Sequence, residues 1–125
     1  MAYAGPVRRW DVFWADLEPH VGSEQAGSRR PVLVVSNDEF NKRFPVFTIV
    51  PPTKLEGKQR KPYPSEVVLP ISVVGNQFTP VAQAFHIRTI SPRRLLSYAG
   101  HLREASARAE VESALLAHLG IELSA

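Results

Sequence analysis

Short apolar runs separated by polar loops occupy most of the chain, and this pattern predicts β-strands rather than long helices. In the first run, large apolar residues occupy both sets of alternating positions, so we expect that strand to be buried on both faces. The third run ends at two consecutive prolines, which are unsuited to a central strand. The predicted strands are residues 8–17, 31–36, 47–50, 66–69, 81–90 and 97–102.

Helical spacing is sustained only near the end of the chain, where residues 106–119 are followed by Gly120 as a stop signal. Shorter helical turns are expected at residues 36–41, where the stretch SNDE offers an N-cap followed by acids, and at residues 91–92, where serine precedes proline. These elements predict one domain over residues 1–125, mainly β within the α+β class. We expect a small SH3-like, curved antiparallel barrel with a C-terminal helix.

Two polar segments between the predicted strands are longer than hairpin turns. Residues 18–30 contain two glycines and one proline, and residues 53–65 are basic and contain proline and glycine. Long loops inside a small domain are often functional. Both loops are therefore candidate parts of a site.

Composition is that of a globular protein, with 44% hydrophobic and 22% charged residues in a chain of 125. The net charge is only +3, but residues 54–94 hold seven basic and two acidic residues, a local excess of +5. Such a concentration fits a polyanion or an acidic partner bound to one face. A solvated basic surface explains it equally well, so charge leaves both interpretations open.

Several function classes lack their sequence signals. The chain has no cysteine, which excludes disulfides and thiolate metal sites, and its four histidines lack metal-ligand spacing. It has no P-loop or dinucleotide-binding glycine pattern, no signal-peptide pattern at its start, and no uninterrupted apolar stretch suited to a membrane. We expect a cytoplasmic protein with no metal, no cofactor and no membrane contact.

Four segments form an ordered set of motifs. They are residues 9–17 (RWDVFWADL), residues 21–27 with 30–38 (VGSEQAG and RPVLVVSND), residues 49–53 (IVPPT), and residues 87–91 with 94–95 (IRTIS and RL). In this order they resemble the MazF/PemK toxins of bacterial toxin–antitoxin pairs, over roughly residues 9–119. The resemblance implies a MazF/CcdB-type toxin fold, a homodimer, and metal-independent endoribonuclease activity on single-stranded RNA that a cognate acidic antitoxin silences.

The sequence departs from the family pattern at four places. Trp10 stands where glycine is usual, and Lys54 replaces a second hydroxyl residue. His86 stands where glutamine is common, and the spacing from glycine to arginine is one residue longer, so Arg29 competes with Arg30 for the functional position. These departures affect the expected cleavage sequence more than the expected chemistry.

Metal-free RNA cleavage requires a group that neutralises the phosphorane-like transition state, for which Arg30 offers two parallel donors. The resemblance implies that Thr53 assists it at the phosphate, whereas a threonine after two prolines is otherwise a turn residue. Glu24 could accept the 2′-hydroxyl proton, or it could pair with Arg29 or Arg30. His86 has the most suitable unperturbed pKa for proton transfer, about 6.5, yet a lone histidine on a strand is more often structural.

A basic surface is expected to follow the RNA backbone, and aromatic side chains could stack on bases. The stacking candidates are Tyr63, Phe44 and Trp10, each of which could instead belong to the core or to a dimer interface. The same surface would attract an acidic antitoxin. The basic candidates are Lys54, Lys58, Arg60, Lys61, Arg88, Arg93 and Arg94.

Two other functions remain alternatives. DNA-gyrase poisons share this fold without cutting RNA, and an inactive nucleic-acid-binding module would fit the missing hydroxyl at Lys54. The combination of Glu24, Arg30 and Thr53 favours a nuclease.

Overall fold

The computed structural model describes residues 2–57 and 62–123, which form eight β-strands, two α-helices and three short 3₁₀ helices. The strands are β1 (Asp11–Ala15), β2 (Arg30–Val34), β3 (Phe47–Val50), β4 (Pro52–Lys54), β5 (Glu66–Val68), β6 (Pro80–Gln83), β7 (Arg88–Ile90) and β8 (Leu95–His101). The helices are α1 (Asp38–Arg43) and α2 (Ala105–Leu119). The 3₁₀ helices are Ile71–Val74, Ala84–His86 and Pro92–Arg94.

The strands form two antiparallel sheets. One has the order β7-β3-β2-β1-β8 and the other has the order β4-β6-β5. Only Pro51 separates β3 from β4, so the chain passes from one sheet to the other within one residue. This corner places β4 beside the start of β2. The mainly β fold with a C-terminal helix confirms the predicted class.

Strand β1 of the five-stranded sheet is buried on both faces, as predicted. Val12 and Trp14 belong to a core cluster shared with the small sheet and α2. Phe13 and Ala15 belong to a second cluster on the opposite face, against which Tyr3 packs from the N-terminal segment. The alternation along β1 therefore divides its side chains between two separate cores.

Several predicted boundaries are wrong for local reasons. Residues 81–90 are not one strand, because the 3₁₀ helix Ala84–His86 separates β6 from β7. Strand β1 begins at Asp11 rather than at residue 8, because Trp10 has a left-handed φ of 74°. The helical turn predicted for residues 36–41 is α1, which begins at Asp38 and continues to Arg43; its N-cap is Asn37, whose side chain accepts the backbone N–H of Phe40.

Other sequence predictions hold more closely. Strand β3 has the predicted bounds, and Ser91 caps the 3₁₀ helix Pro92–Arg94. The predicted C-terminal helix is α2, and Gly120 ends it with a left-handed φ of 69°. Residues 53–65 are not all loop, because β4 extends to Lys54. No helix in residues 2–57 and 62–123 is long and apolar enough to cross a membrane.

Hydrogen bonds fasten both ends of the long loop 18–30. Arg94 Nη1 donates to the backbone carbonyls of Asp16 and Glu18, at 3.1 and 2.8 Å. The Glu18 carboxylate accepts the backbone N–H of Gly27 at 2.6 Å, and Leu17 N–H donates to the Gly27 carbonyl at 2.9 Å. The loop is thereby closed at its base, and residue 30 enters β2 from a fixed position.

Candidate nuclease site

The two sheets meet where Arg30 and Thr53 face each other. Arg30 is the first residue of β2, and Thr53 is the middle residue of β4. Arg30 Nη2 donates to Thr53 Oγ1 over 3.5 Å, although 23 positions separate the two residues along the chain. The passage from β3 to β4 through Pro51 makes this contact, which the sequence motifs alone do not reveal.

The guanidinium of Arg30 is partly buried and only partly hydrogen-bonded. Its Nε is buried and has no hydrogen-bond partner within the described residues. Burial also lowers the pKa of Arg30 below its ordinary value. An arginine whose donors are unmet and partly desolvated binds a phosphate oxygen more strongly than a fully hydrated one.

The side chain of Arg29 contacts Trp14, whereas that of Arg30 contacts Thr53. It is exposed, and its guanidinium carbon lies 4.1 Å from the centroid of the Trp14 ring. This is the distance of a cation–π contact, in which the planar guanidinium lies against the indole. Of the two arginines that compete in the sequence, only Arg30 contacts Thr53 within the described structure.

Two cavities lie at this region. The first has a volume of about 250 Å³ and includes both arginines and Thr53. The second has a volume of about 260 Å³ and lies between the loop 18–30 and the segment around the 3₁₀ helix Ala84–His86. The first is lined by Trp14, Arg29, Arg30, Pro31, Thr53, Lys54 and Phe78. The second is lined by Glu24, Gln25, Phe85, His86, Ile87 and Arg88.

The pKa of His86, which lines the second cavity, is affected by Arg30, which lines the first. Burial, and then the positive charge of Arg30, lower the pKa of His86 from its ordinary value of 6.5. The imidazole is therefore neutral at neutral pH, with one ring nitrogen as donor and the other as acceptor. His86 lies in a 3₁₀ helix, so the expectation of a histidine on a strand is wrong.

Glu24 lines the second cavity without an arginine partner. Its carboxylate accepts the backbone N–H of Val21 at 2.7 Å, within a turn of the loop. Among the described residues it forms no ion pair with Arg29 or Arg30, so the alternative in which it pairs with either one is wrong. Its carboxylate remains exposed beside His86.

The predicted RNA-binding residues separate into three groups. Lys54 and Arg88 line the two cavities, and Arg93 is exposed on the 3₁₀ helix Pro92–Arg94. Arg94 Nη1 donates to two backbone carbonyls at the base of the loop 18–30, so this side chain stabilises the loop. Three candidates lie outside the described residues: Lys58, Arg60 and Lys61.

The aromatic candidates also differ in exposure. Trp10 is buried in the core, which confirms the alternative in which it is a core residue and leaves it unavailable for stacking. Phe44 is exposed and stacks on Phe40, and Tyr63 is exposed. The sequence interpretation missed Phe85, which is 37% exposed and lies in the second cavity. The sequence signal for Phe85 is that it directly precedes His86, a candidate site residue.

No group of three or more histidine, cysteine or acidic residues within residues 2–57 and 62–123 is arranged to hold a metal ion. The chemistry that the site offers comes from side chains: a guanidinium and a hydroxyl at one cavity, and an imidazole and a carboxylate at the other. Such a set can bind a phosphodiester and transfer protons around it.

Comparison with known proteins identifies the family. Residues 8–119 match the model of a family described as PemK-like, MazF-like toxin of type II toxin-antitoxin system. Because the match covers most of the chain, this protein belongs to the PemK/MazF toxin family. A curated relative, endoribonuclease MazF9 of Mycobacterium tuberculosis, is 38% identical over 120 residues, which cover 92% of this chain and 98% of the relative.

Solved structures agree with this membership. A crystal structure of MazF from Deinococcus radiodurans has a TM-score of 0.73 at 30% identity, covering 94% of this chain and 100% of that chain. A crystal structure of MazE–MazF from the same organism has a TM-score of 0.68 at 30% identity, covering 94% of this chain and 98% of that chain. The fold and the family resemblance predicted from the sequence are both confirmed.

Proposed function

We propose that this protein is a sequence-specific endoribonuclease toxin that cuts single-stranded RNA without a metal ion. The observation that carries the proposal is the contact between Arg30 and Thr53, which places a phosphate-binding guanidinium beside a hydroxyl donor at the meeting of two sheets. The curated relative from M. tuberculosis is an endoribonuclease at 38% identity, which supports the same activity.

The reaction uses the substrate's own 2′-hydroxyl as nucleophile. An O2′–P bond forms, the P–O5′ bond breaks, and the products carry a 2′,3′-cyclic phosphate and a 5′-hydroxyl. Negative charge develops on the non-bridging oxygens in the transition state. Arg30 donates to these oxygens through its fork of N–H groups, and Thr53 donates through its hydroxyl.

Two protons must move during this step. Among the described residues that line the two cavities, Glu24 is the only one with a carboxylate. We assign Glu24 to accept the 2′-hydroxyl proton. Arg30, whose pKa burial lowers, is assigned to protonate the departing 5′-oxygen. Arg29 lies on the Trp14 ring and serves the substrate as a flat, cationic contact rather than as a proton carrier.

The basic residues at and beside the cavities follow the RNA backbone. Lys54 lines the same cavity as Arg30, and Arg88 lines the same cavity as His86. Arg93 follows Arg88 along the chain and is exposed. Each phosphate contact of this kind contributes affinity that falls with salt. An acidic antitoxin segment is attracted by the same charges, and the MazE–MazF structure from D. radiodurans supports an antitoxin partner.

The active form is proposed to be a homodimer in the cytoplasm, where messenger RNA is available. Strand β8 is an edge strand of the five-stranded sheet, and it exposes two large side chains, Leu96 and Tyr98, at 38% and 46%. An exposed apolar edge strand is a surface that a second chain can cover. Light scattering on purified protein would show a mass of one chain if this part of the proposal were wrong.

The test of activity is cleavage of a long RNA in the presence of EDTA by protein freed of antitoxin, followed by mapping of the new 5′ ends. We expect discrete cuts with 5′-hydroxyl termini, and loss of these cuts in Arg30→Ala. His118→Gln, at an exposed position on α2, is the matched control and should cut like the wild type. Intact RNA with folded wild-type protein would reject the nuclease in favour of a non-catalytic toxin or a binding module.

A further inference from the structure

The cavity beside Arg30 has features that the cleavage chemistry does not use. It is hereafter called the His86 pocket and is lined by Glu24, Gln25, Phe85, His86, Ile87 and Arg88. The phosphate is held by Arg30 and Thr53, which line the other cavity. The side chains of Phe85, Gln25 and His86 in this pocket therefore have no role in the cleavage chemistry proposed above.

We propose that the His86 pocket binds one nucleobase of the RNA next to the cleaved phosphate, and that His86 is a specificity-determining residue that selects this base. The proposal rests on the nuclease function proposed above and names the part of the substrate that this pocket recognises.

The size and lining of the pocket fit a planar base. Its volume of about 260 Å³ lies below the range of roughly 300–1,000 Å³ that is usual for drug-sized ligands, so it suits a fragment such as one base. Phe85 offers an exposed ring, and the Phe85 and His86 rings are 4.6 Å apart at an interplanar angle of 44°. Aromatic faces of this kind stack on unpaired RNA bases.

The polar groups of the pocket favour a base over a phosphate. Gln25 lines the pocket, and its buried Nε2 atom is an unmet hydrogen-bond donor within the described residues. Because burial and Arg30 keep the pKa of His86 low, its imidazole is neutral and presents one donor and one acceptor. A base edge supplies the complementary pair, whereas a phosphate supplies acceptors alone.

The position of the pocket places this base next to the reacting phosphate. Glu24 and Gln25 of the loop 18–30 line the pocket, and Gly27 of the same loop lies directly against the stem of Arg30. Arg88 lines the same pocket and provides a cation for the next backbone phosphate. A strand of RNA could thus pass from Arg30 to Arg88 with one base turned inward between them.

The local fold explains why His86 can act in this way. The 3₁₀ helix Ala84–His86 interrupts the run from β6 to β7, and it exposes Phe85 and half-buries His86. A continuous strand would have alternated these neighbours between opposite faces of the sheet. The opposite wall is the loop 18–30, which the Glu18 carboxylate closes by accepting the Gly27 N–H.

The main test compares cleavage sites of His86→Gln and wild type on an RNA with a randomised region, by mapping 5′ ends. Glutamine keeps one donor and one acceptor but changes their spacing and shape. We expect the preferred base at one position of the cleavage sequence to change by about tenfold in relative kcat/KM, with the other positions unchanged. His118→Gln is the control and should keep the wild-type sequence preference.

Two outcomes of this experiment would overturn the proposal. An equal loss of rate at every cleavage site, with unchanged base preference, would make His86 a residue of the chemical step or of folding. Unchanged rates and unchanged preference would show that the pocket does not read a base. If the wild type cuts no RNA, the nuclease proposal fails, and the pocket must be tested by binding.

Binding is measured on the wild-type protein, so the test does not depend on the folding of a variant. The four nucleoside 3′-monophosphates and inorganic phosphate are titrated while the imidazole resonances of His86 are followed by NMR, with His86→Gln used for assignment. We expect a shift that depends on the identity of the base and is absent with inorganic phosphate. Equal shifts with all five probes would indicate phosphate binding and reject the base pocket.

Discussion

The side chain of Arg30 lies directly against Gly27, so closely that a β-carbon at residue 27 would come within 2.4 Å of Arg30 Cγ and 2.6 Å of Cδ. Gly27 also has a φ of +131°, a conformation that residues with a side chain rarely adopt. Its N–H is bound by the Glu18 carboxylate. The loop 18–30 and the proposed phosphate-binding arginine therefore form one packed unit.

Gly27→Ala is expected to displace Arg30 from Thr53 because the new methyl group occupies the space of the arginine stem. Misplacement of a catalytic group by about 1 Å can reduce rate by roughly 100-fold, so we expect kcat/KM to fall by about that factor. RNA cleavage by purified protein measures the effect, and circular dichroism checks that the variant remains folded.

Gly22→Ala provides the matched control, since it lies in the same loop and also has a positive φ, of +56°, but has nothing within 4 Å of the added β-carbon. It should lose stability of about 1 kcal/mol while keeping most of its activity. Equal losses of activity in both variants would show that loop strain, rather than contact with Arg30, controls the site.

Arg30 and Arg29 should respond differently to substitution. Arg30→Ala removes the guanidinium beside Thr53, and we expect a loss of about 100- to 1,000-fold in kcat. Arg29→Ala removes a cation that lies on Trp14, and we expect a rise in KM with kcat little changed. Single-turnover cleavage separates the two effects, and a larger fall of kcat in Arg29→Ala would reverse our assignment.

Thr53→Val tests the hydroxyl beside Arg30 with little change of volume. Because it removes one donor to the transition state, we expect kcat to fall by about tenfold or more. Thr89→Val is the control: the Thr89 hydroxyl lies 3.1 Å from that of Thr48, on adjacent strands of the other sheet. If Thr53→Val cleaved RNA at the wild-type rate, Thr53 would be a structural partner of Arg30 alone.

The lowered pKa of His86 makes stability depend on pH. The unfolded chain binds the proton more readily than the folded chain, so the contribution of His86 to folding is complete above about pH 6.5 and is lost as pH falls through the lower folded pKa. We expect the melting temperature of His86→Gln to fall less than that of wild type on acidification from about pH 7.5 to about pH 5.5.

His118→Gln again serves as the control for removal of one imidazole, this time at the exposed end of α2. It should follow the wild-type pH dependence. An identical pH dependence in His86→Gln and wild type would mean that the environment of His86 does not oppose its protonation.

The sequence allowed prediction of the fold class because the strand periodicity and helix stop signals are local. It could not show the split of residues 81–90, because a 3₁₀ helix of three residues leaves the alternation of apolar positions almost unchanged. The contact of Arg30 with Thr53 depends on how two sheets meet, which is a tertiary property. The family motifs nevertheless indicate both residues as candidates.

Residue exposure was the least predictable feature of the candidate site. The sequence leaves open whether Trp10 stacks on RNA or belongs to the core, and the structure buries it in the core at a left-handed φ. The sequence predicts Arg94 as an RNA-binding residue, whereas in the structure its Nη1 atom donates to the loop carbonyls of Asp16 and Glu18. This contact does not follow from residue type or spacing, because it depends on a backbone segment far away in the sequence.

Trp10 combines a strained backbone with a large buried side chain. Its φ is 74°, and its ring is 4.5 Å from the guanidinium carbon of Arg9 and 5.6 Å from that of Arg108. Truncation of a buried tryptophan costs about 3–5 kcal/mol, whereas release of a left-handed conformation returns about 1–2 kcal/mol. Trp10→Gly should therefore be less stable than wild type by about 1–4 kcal/mol.

Trp10→Ala loses the same packing but keeps the strain, because alanine still has a β-carbon. We therefore expect the free energy of unfolding in urea to rank wild type above Trp10→Gly, and Trp10→Gly above Trp10→Ala by about 1 kcal/mol. This order is the reverse of the usual one inside helices and strands, where alanine is the more stabilising residue. An alanine variant as stable as the glycine variant would show that the left-handed turn at residue 10 carries no strain, and that glycine at this position in other family members has a different cause.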